Sequence, residues 1–393
     1  MLPITGRDIV ILSTQDWDYS PTRKHHFARM FAAQGNRVLY VEQQMHWAGW
    51  LIDLRRQFSR AWRWLRGPRP VANGLWVYTL PLVLPFFQMS ARINWLNDLF
   101  LLPVLKWQLR RLGFAAPILW AYTPHAADFV GRLSEQAAVY TCVDDFTSSR
   151  GLVSPDTIAR LERRLIEMVD LLITTAPALH ESRRRYARQA ALVPNGVDVE
   201  HFARAASADL AVPPAVADLP RPIVGYVGRI NYWIDTGLLA RIARAHPEWS
   251  LVLVGPTDLL AKMKPLRGLA NVHVTGRVPY ADVPAYVKAF DVCVNPYLAD
   301  GVAEHCSPLK LYEYVASGKP VVSVNMPAAH TFEGLVEIAA DADEFLTLLE
   351  RVVAAPDKRS GARMAAAREH TWQRRFEAVC AALAEILSER EQL

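Results

Sequence analysis

Short apolar runs bounded by small polar residues recur along the chain, with amphipathic stretches between them. "DIVILST" (8–14), "NRVLYVE" (36–42), "APILWAYT" (116–123), "AAVYTCVDD" (137–145) and "DLLITTA" (170–176) are continuously apolar rather than alternating. That pattern predicts strands buried on both faces, as in a parallel sheet. "HHFARMFAAQG" (25–35) has helical spacing and closes on Gly35, and "AALVPNGVD" (190–198) predicts a strand followed by a turn. "ARAASADLAVPPAVADLPRP" (203–222) has no clean period and reads as the region linking two domains. The rhythm then restarts with strands in "PIVGYVGR", "WSLVLVGP", "NVHVTGR", "FDVCVNPY" and "KPVVSVN". Helices are expected around 235–246, 281–290, 308–317 and 343–355, and the tail from 371 is a long amphipathic helix. Strands alternating with helices place the chain in the α/β class, as two doubly wound domains.

Composition narrows the function classes. The chain has 393 residues, 51% hydrophobic and 21% charged, enough for two ordinary domains. Cys142, Cys293, Cys306 and Cys380 form no CxxC or zinc spacing, which suits a reducing compartment. The start shows no basic segment leading into an apolar core, so no signal peptide is expected, and no uncharged run is long enough to span a bilayer. Residues 1–200 hold 24 Lys and Arg against 17 Asp and Glu, so the remainder holds 20 against 22. A basic first half fits an anionic partner or a solvated arginine surface. Nucleic acid is disfavoured, because no recognised binding motif is present.

The densest candidate chemistry lies in "SPLKLYEYVASGKPVV" (307–322). Ser307 suits a helix N-cap and Pro308 a first turn, and the free N–H groups of such a terminus attract anions. Lys310 would add a full charge beside a phosphate. Ionised Glu313 is an acceptor suited to vicinal hydroxyls, although Lys310 and Glu313 also fit a solvated i,i+3 pair. Arg229, just after a strand in "GYVGRINYW", offers a second cation. Val278, Pro279 and Tyr280 follow another strand, where they would frame a flat base.

"PNGVD", "GYVGR", "VTGRVPY" and "KLYEYVASGKPVV", in this order, resemble signatures of the retaining GT-B glycosyltransferases of family 4 (group 1). The resemblance is strongest over 191–323. It implies two Rossmann-like domains facing across a cleft: 1–205 for acceptor and membrane, and 206–370 for the nucleotide-sugar donor. Residues 371–393 would be a helix packing back toward the first domain. It also implies Arg229 and Lys310 as diphosphate ligands, Glu313 as the ribose ligand, and backbone contacts from Ser307, Pro308 and Leu309. Two departures stand out. The family's sugar-binding Glu falls at His305 here, with Glu304 one place earlier, and "INYWIDTG" lacks the family's Lys. The implied activity is sugar transfer from a UDP- or GDP-sugar to a lipid-linked or polysaccharide acceptor, with retention and without a metal cofactor. The alternatives are an inverting transferase, a sugar-nucleotide epimerase of the same fold, and a catalytically silent subunit of a partner enzyme.

In the first half, "DWDYSPTRKHHF" (16–27) replaces the family's Gly-Gly loop and is similar to the corresponding loop of the xanthan glucuronosyltransferase. Asp18, Arg23, Lys24 and His26 are candidates for acceptor binding, or for capping and solvent exposure. Asp144 and Asp145 end an apolar run where a general base would serve an inverting reaction, or they cap a turn. His125 is a further candidate, or an exposed loop histidine.

"MHWAGWLIDLRRQFSRAWRWLRG" (45–67) is amphipathic in a particular way. On a helical wheel Trp47, Trp50, Phe58, Trp62 and Leu65 share one face, and Arg55, Arg56, Arg60, Arg63 and Arg66 share the opposite one. Such a helix suits an anionic membrane interface, or packs its Trp face on the sheet and exposes its arginines. With a lipid-linked saccharide acceptor, the first option implies a peripheral enzyme on the cytoplasmic face of the cell membrane.

Overall fold

The computed structural model describes residues 4–44, 54–148, 153–298 and 301–391, in two compact units. The first is Met1–Pro194 with Arg375–Leu393, and the second is Asn195–Arg374.

The first unit is built on β1 (Asp8–Leu12), β2 (Arg37–Val41), β3 (Arg69–Ala72), β4 (Leu75–Tyr78), β5 (Ile118–Ala121), β6 (Ala137–Cys142), β7 (Leu171–Thr174) and β8 (Gln189–Leu192). They form one sheet in the order β3-β4-β2-β1-β5-β6-β7-β8, parallel except for the β3–β4 hairpin. Central β1 is buried throughout, with Val10 between Leu39 and Leu119, as its uniform apolar run requires. Where β1, β2 and β5 end, the chains remain stitched: Ser13 N donates to Val41 O and Tyr122 N to Leu12 O. Side chains just beyond these three strands therefore share one edge of the sheet, where open α/β sheets bind ligands.

The helix Arg23–Ala33 lays Phe27 and Phe31 against Trp120 and against Phe376, which lies in the terminal helix Trp372–Glu391. Arg390, near the end of that helix, pairs with Asp170 at 2.5 Å and donates to Gln136 O.

The second unit holds β9 (Ile223–Val227), β10 (Ser250–Val254), β11 (Val272–Gly276), β12 (Val292–Asn295), β13 (Val321–Val324) and β14 (Glu337–Ala339). All pairings are parallel, in the order β11-β10-β9-β12-β13-β14. The helix Leu309–Ser317 ends at Gly318, which has φ +76°, and β13 follows at once. A side chain at Gly318 would be strained at that φ, and its Cβ would lie 2.5 Å from Ser360 Oγ.

Three features differ from the expectations. The division between units falls at Pro194 and Asn195 rather than at 205, because 203–222 is no free linker: Ala205 and Val216 are buried in the second unit's core. The β3–β4 hairpin, turning at Asn73-Gly74, was not anticipated, although Asn-Gly between apolar runs is its signal. Short edge strand β14 was also missed.

Candidate active site

In the second unit, β9 delivers Gly228 and Arg229 to the sheet's carboxyl edge, and the helix Leu309–Ser317 starts beside them. The Lys310 ammonium reaches back over this turn. It donates to Tyr297 Oη at 3.1 Å and lies 5.4 and 5.0 Å from the ring centres of Tyr226 and Tyr297. A Cβ on Gly228, whose φ is +145°, would stand 2.9 Å from Lys310 Cε, so only glycine admits the lysine here. Two aromatic faces and a backbone turn thus hold the cation in place.

Pro308, not Ser307, is the N-cap, and no side chain caps the terminus. Ser307 has a different task. Its carbonyl accepts from Asn195 Nδ2 at 2.6 Å, and its Oγ meets Asn195 N and Tyr312 Oη. This fixes the loop from which the first-turn N–H groups of the helix begin. Glu313 follows one turn later. Burial pushes its carboxyl up to about 7, and Lys310 opposes that rise.

Arg229 pairs with Asp258 at 2.8 Å, and Asn231 Nδ2 donates to the same carboxylate at 2.7 Å. The "INYW" departure from the family pattern therefore builds a small network around Arg229. Glu304 ends the helix Gly301–Glu304 and is exposed, while His305 is half-buried next to it. Val278 is partly buried against the core. The Tyr280 ring stacks on His201 at 4.3 Å, and its carbonyl lies 3.0 Å from the His201 ring nitrogen.

In the first unit, a pocket of about 90 Å³ opens beyond β1, β2 and β5. Ser13, Thr14, Glu42, Gln88, Thr123 and His125 contribute its polar lining, and Leu80 and Phe87 part of its apolar side. His125 is buried. Its Nδ1 is 3.0 Å from Thr123 Oγ1, its ring meets Phe87 edge-on, and Nε2 has no hydrogen-bond partner among the described residues. Burial lowers its pKa to about 4, so the imidazole is neutral near pH 7.

Lys24 is buried at the same edge and donates to Thr14 Oγ1 at 2.5 Å. Burial lowers its pKa to about 8, and the Asp144 charge opposes the fall. The two adjacent aspartates separate in role. Asp144 is exposed and acts electrostatically on Lys24. Asp145 binds Arg183 at 2.7 Å and accepts from Thr147; these partners hold its carboxyl low despite burial, as a turn and ion-pair anchor rather than a base.

Arg23 is buried, where the sequence also allowed solvent exposure, and donates to Val193 O and Pro194 O at 2.6 and 2.5 Å. Asp18 pairs with Arg63 and Arg69. His26 is half-buried on the helix Arg23–Ala33.

The helix Leu54–Arg66 realises neither sequence-based option in full. Arg60, expected on a solvent or lipid face, is 1% exposed and pairs with Asp16 at 2.5 Å. Arg63 reaches Glu42 and Asp18. The arginine side docks on the protein because these three carboxylates await it, and Phe58, Trp62 and Leu65 face outward, 58–67% exposed. Trp47 and Trp50, and the side chains of Arg55 and Arg56, lie outside the described residues.

Residues 221–354 match the family model for glycosyl transferases, group 1. That match falls within the second unit. TuaH of Bacillus subtilis (strain 168), assigned by name to glycosyl transfer in teichuronic acid biosynthesis, is 30% identical over 179 residues. That match covers 44% of each chain, so this chain spans under half of that relative. Solved structures extend the likeness to the whole fold. Sucrose-phosphate synthase from Thermosynechococcus elongatus superposes with a TM-score of 0.73 at 18% identity, over 98% of this chain and 100% of that one. Trehalose-6-phosphate synthase from Burkholderia multivorans gives 0.69 at 15%, over 98% and 99%. Anabaena HepE, in complex with UDP and glucose, gives 0.65 at 14%, over 96% and 100%. The chain has the GT-B fold.

Within the second unit, sequence reasoning passed over Tyr226, Tyr297 and Asn195. The first two shape the Lys310 cradle and the third fixes the loop before it. "PNGVD" pointed to Asn195 only as a turn. Tyr226 lies next to the end of β9 and Tyr297 two positions beyond β12, and they carried no signal apart from their place near Gly228 and Pro296.

Proposed function

We propose that this protein transfers a sugar from a nucleotide-diphosphate sugar to a lipid-linked or polysaccharide acceptor at a membrane surface. The observation that carries the donor side is the Lys310 ammonium over Gly228, beside Arg229 and at a helix start that no side chain caps. Cations and helix N–H groups so arranged offset the charge of a leaving diphosphate, with no metal assigned a part. Glu313, one turn on, would accept from the ribose hydroxyls. UDP is the favoured nucleotide because HepE was solved with it.

On the acceptor side, the pocket at His125 would take the saccharide, with neutral His125 Nε2 and Glu42 or Gln88 as hydrogen-bond partners. Transfer would proceed on the donor's front face with retention. An inverting reaction with Asp144 as base is the second reading, favoured by its exposure and its partnership with Lys24. Association with the cytoplasmic membrane face would follow from the outward apolar side of the helix Leu54–Arg66.

A panel of UDP- and GDP-sugars, assayed with lipid-linked acceptors and read by NMR at the new anomeric centre, tests all of this. Transfer with retained configuration is expected, and inversion would move the assignment to Asp144. No thermal stabilisation by any nucleotide or nucleotide sugar would sink the transferase reading.

A further inference from the structure

The helix Ala91–Arg111 is apolar on two sides. Its buried side sets Leu101, Leu102, Leu105 and Leu109 in the core of the first unit and adds a polar cluster. Asn94 Nδ2 donates to Asp98 Oδ2 at 2.8 Å, Asn97 exchanges hydrogen bonds with both backbone groups of Leu84, and Gln108 is buried near the far end. Its outward side carries Trp95, Leu96, Leu99, Phe100 and Trp107, each 45–54% exposed. The preceding turn adds exposed Leu84, Phe86 and Met89, with Phe86 held at φ +63°. A bulky residue rarely occupies that backbone region, and such strain persists where the surroundings enforce it. A soluble surface helix carries polar and charged residues on its outward side.

The charges around this face identify its occupant. Asp98 is the sole carboxylate between Leu84 and Arg111, and it is buried. Cations flank the apolar stretch: Arg92 at the start, and Lys106, Arg110 and Arg111 at the end. Arg111 lies 4.7 Å over the Trp107 ring, and Arg66 lies 4.8 Å over Trp62 on the neighbouring helix. The two helices meet where Gly67 lies against Gln108 and Arg111. Exposed tryptophans capped by arginines, with an apolar centre and no exposed acid, match the interface of an anionic bilayer.

We propose that the helix Ala91–Arg111, with the Leu84–Met89 turn, inserts its outward apolar side into an anionic bilayer as a second docking point beside the helix Leu54–Arg66. This rests on the membrane reading above and goes further, because two points fix the orientation of the first unit where one helix leaves it free to pivot. The turn also supplies Phe87 and Gln88 to the His125 pocket. A lipid-linked saccharide would then enter the pocket from the membrane side while its chain stays among the lipids.

Flotation of the full chain with phosphatidylcholine vesicles, with and without phosphatidylglycerol, tests this. The parent should float with the anionic vesicles. Combining Trp95→Ser, Leu99→Ser and Phe100→Ser should cut partitioning by about tenfold or more. Phe58→Ser with Trp62→Ser should reduce it separately. As a second measurement, Leu99→Cys labelled with a polarity-sensitive fluorophore should shift to the blue on anionic vesicles; the native cysteines are all buried. Parent-like flotation of the triple variant, with loss only in the Phe58/Trp62 pair, overturns the second docking point and leaves the membrane reading standing. A parent that binds no vesicles overturns both. A parent dimer that the triple variant dissolves, with vesicle binding unchanged, assigns the face to a second copy instead.

Discussion

At the scale of single residues, the proposed donor site makes the charge states of Lys310 and Glu313 matter to binding. A ribose diol donates to a carboxylate, so on that proposal the ionised form of Glu313 is the binding form. Its carboxyl titrates at about 7, so UDP affinity should rise by up to about tenfold from pH 6 to pH 8, measured by calorimetry. Glu313→Gln should bind more weakly and without that slope. Lys310→Ala should cost about 1.5–3 kcal/mol of UDP binding. It should also move the slope to higher pH, because the lysine is what opposes the rise of Glu313. Asp98 gives a stability counterpart. Burial first, and then the Asp128 charge, push its carboxyl from 3.8 up to about 8, with Arg132 pulling the other way. The folded chain holds a proton that the unfolded chain releases, so stability from this site is full below about pH 4 and declines toward pH 8. Asp98→Asn should flatten that part of the melting-temperature profile between pH 5 and 8. The types and spacing of Lys310 and Glu313 were legible in the sequence. That Asp98 faces Asp128 was not, since 30 positions of chain separate them and no local pattern brings them together.

At the scale of elements, the helix Leu54–Arg66 shows what a wheel can and cannot tell. Periodicity separated Arg60 and Arg63 from Phe58, Trp62 and Leu65, but it does not say which side meets protein. Asp16 and Glu42, at the ends of other elements, decide that by meeting Arg60 and Arg63. Arg60→Ala leaves Asp16 buried without its partner and should destabilise the first unit by about 3–5 kcal/mol, read by thermal melting. At the other pole of the chain, Gly318 ends the Leu309–Ser317 helix as "SGKP" predicted. Gly318→Ala should cost about 1–3 kcal/mol through its positive φ and the approach of Ser360.

At the scale of the whole molecule, the terminal helix starts in the second unit and ends in the first. Phe376 packs 5.5 and 4.6 Å from Phe27 and Phe31, directly under the helix that carries Lys24. Phe376→Ala should lower the stability of the first unit by about 3–5 kcal/mol in urea unfolding. UDP affinity, which the proposal assigns to the second unit, should remain within about twofold of the parent. A large loss of UDP binding would show that the terminal helix supports both units alike.

The sequence by itself determined the α/β class, most of the strands, and the ordered motifs that resemble group 1 signatures. Those follow from short-range facts: uniform apolar runs report burial on both faces, and glycine and proline report turns. Tertiary structure alone decided which residues share a site and which way amphipathic faces point. It tied Arg23 to Val193 and Pro194, gave Asp145 to Arg183, put Tyr297 against Lys310, and turned a second apolar side of Ala91–Arg111 outward. Each of these depends on a partner supplied from elsewhere in the chain, so the fold must place both before either has a role.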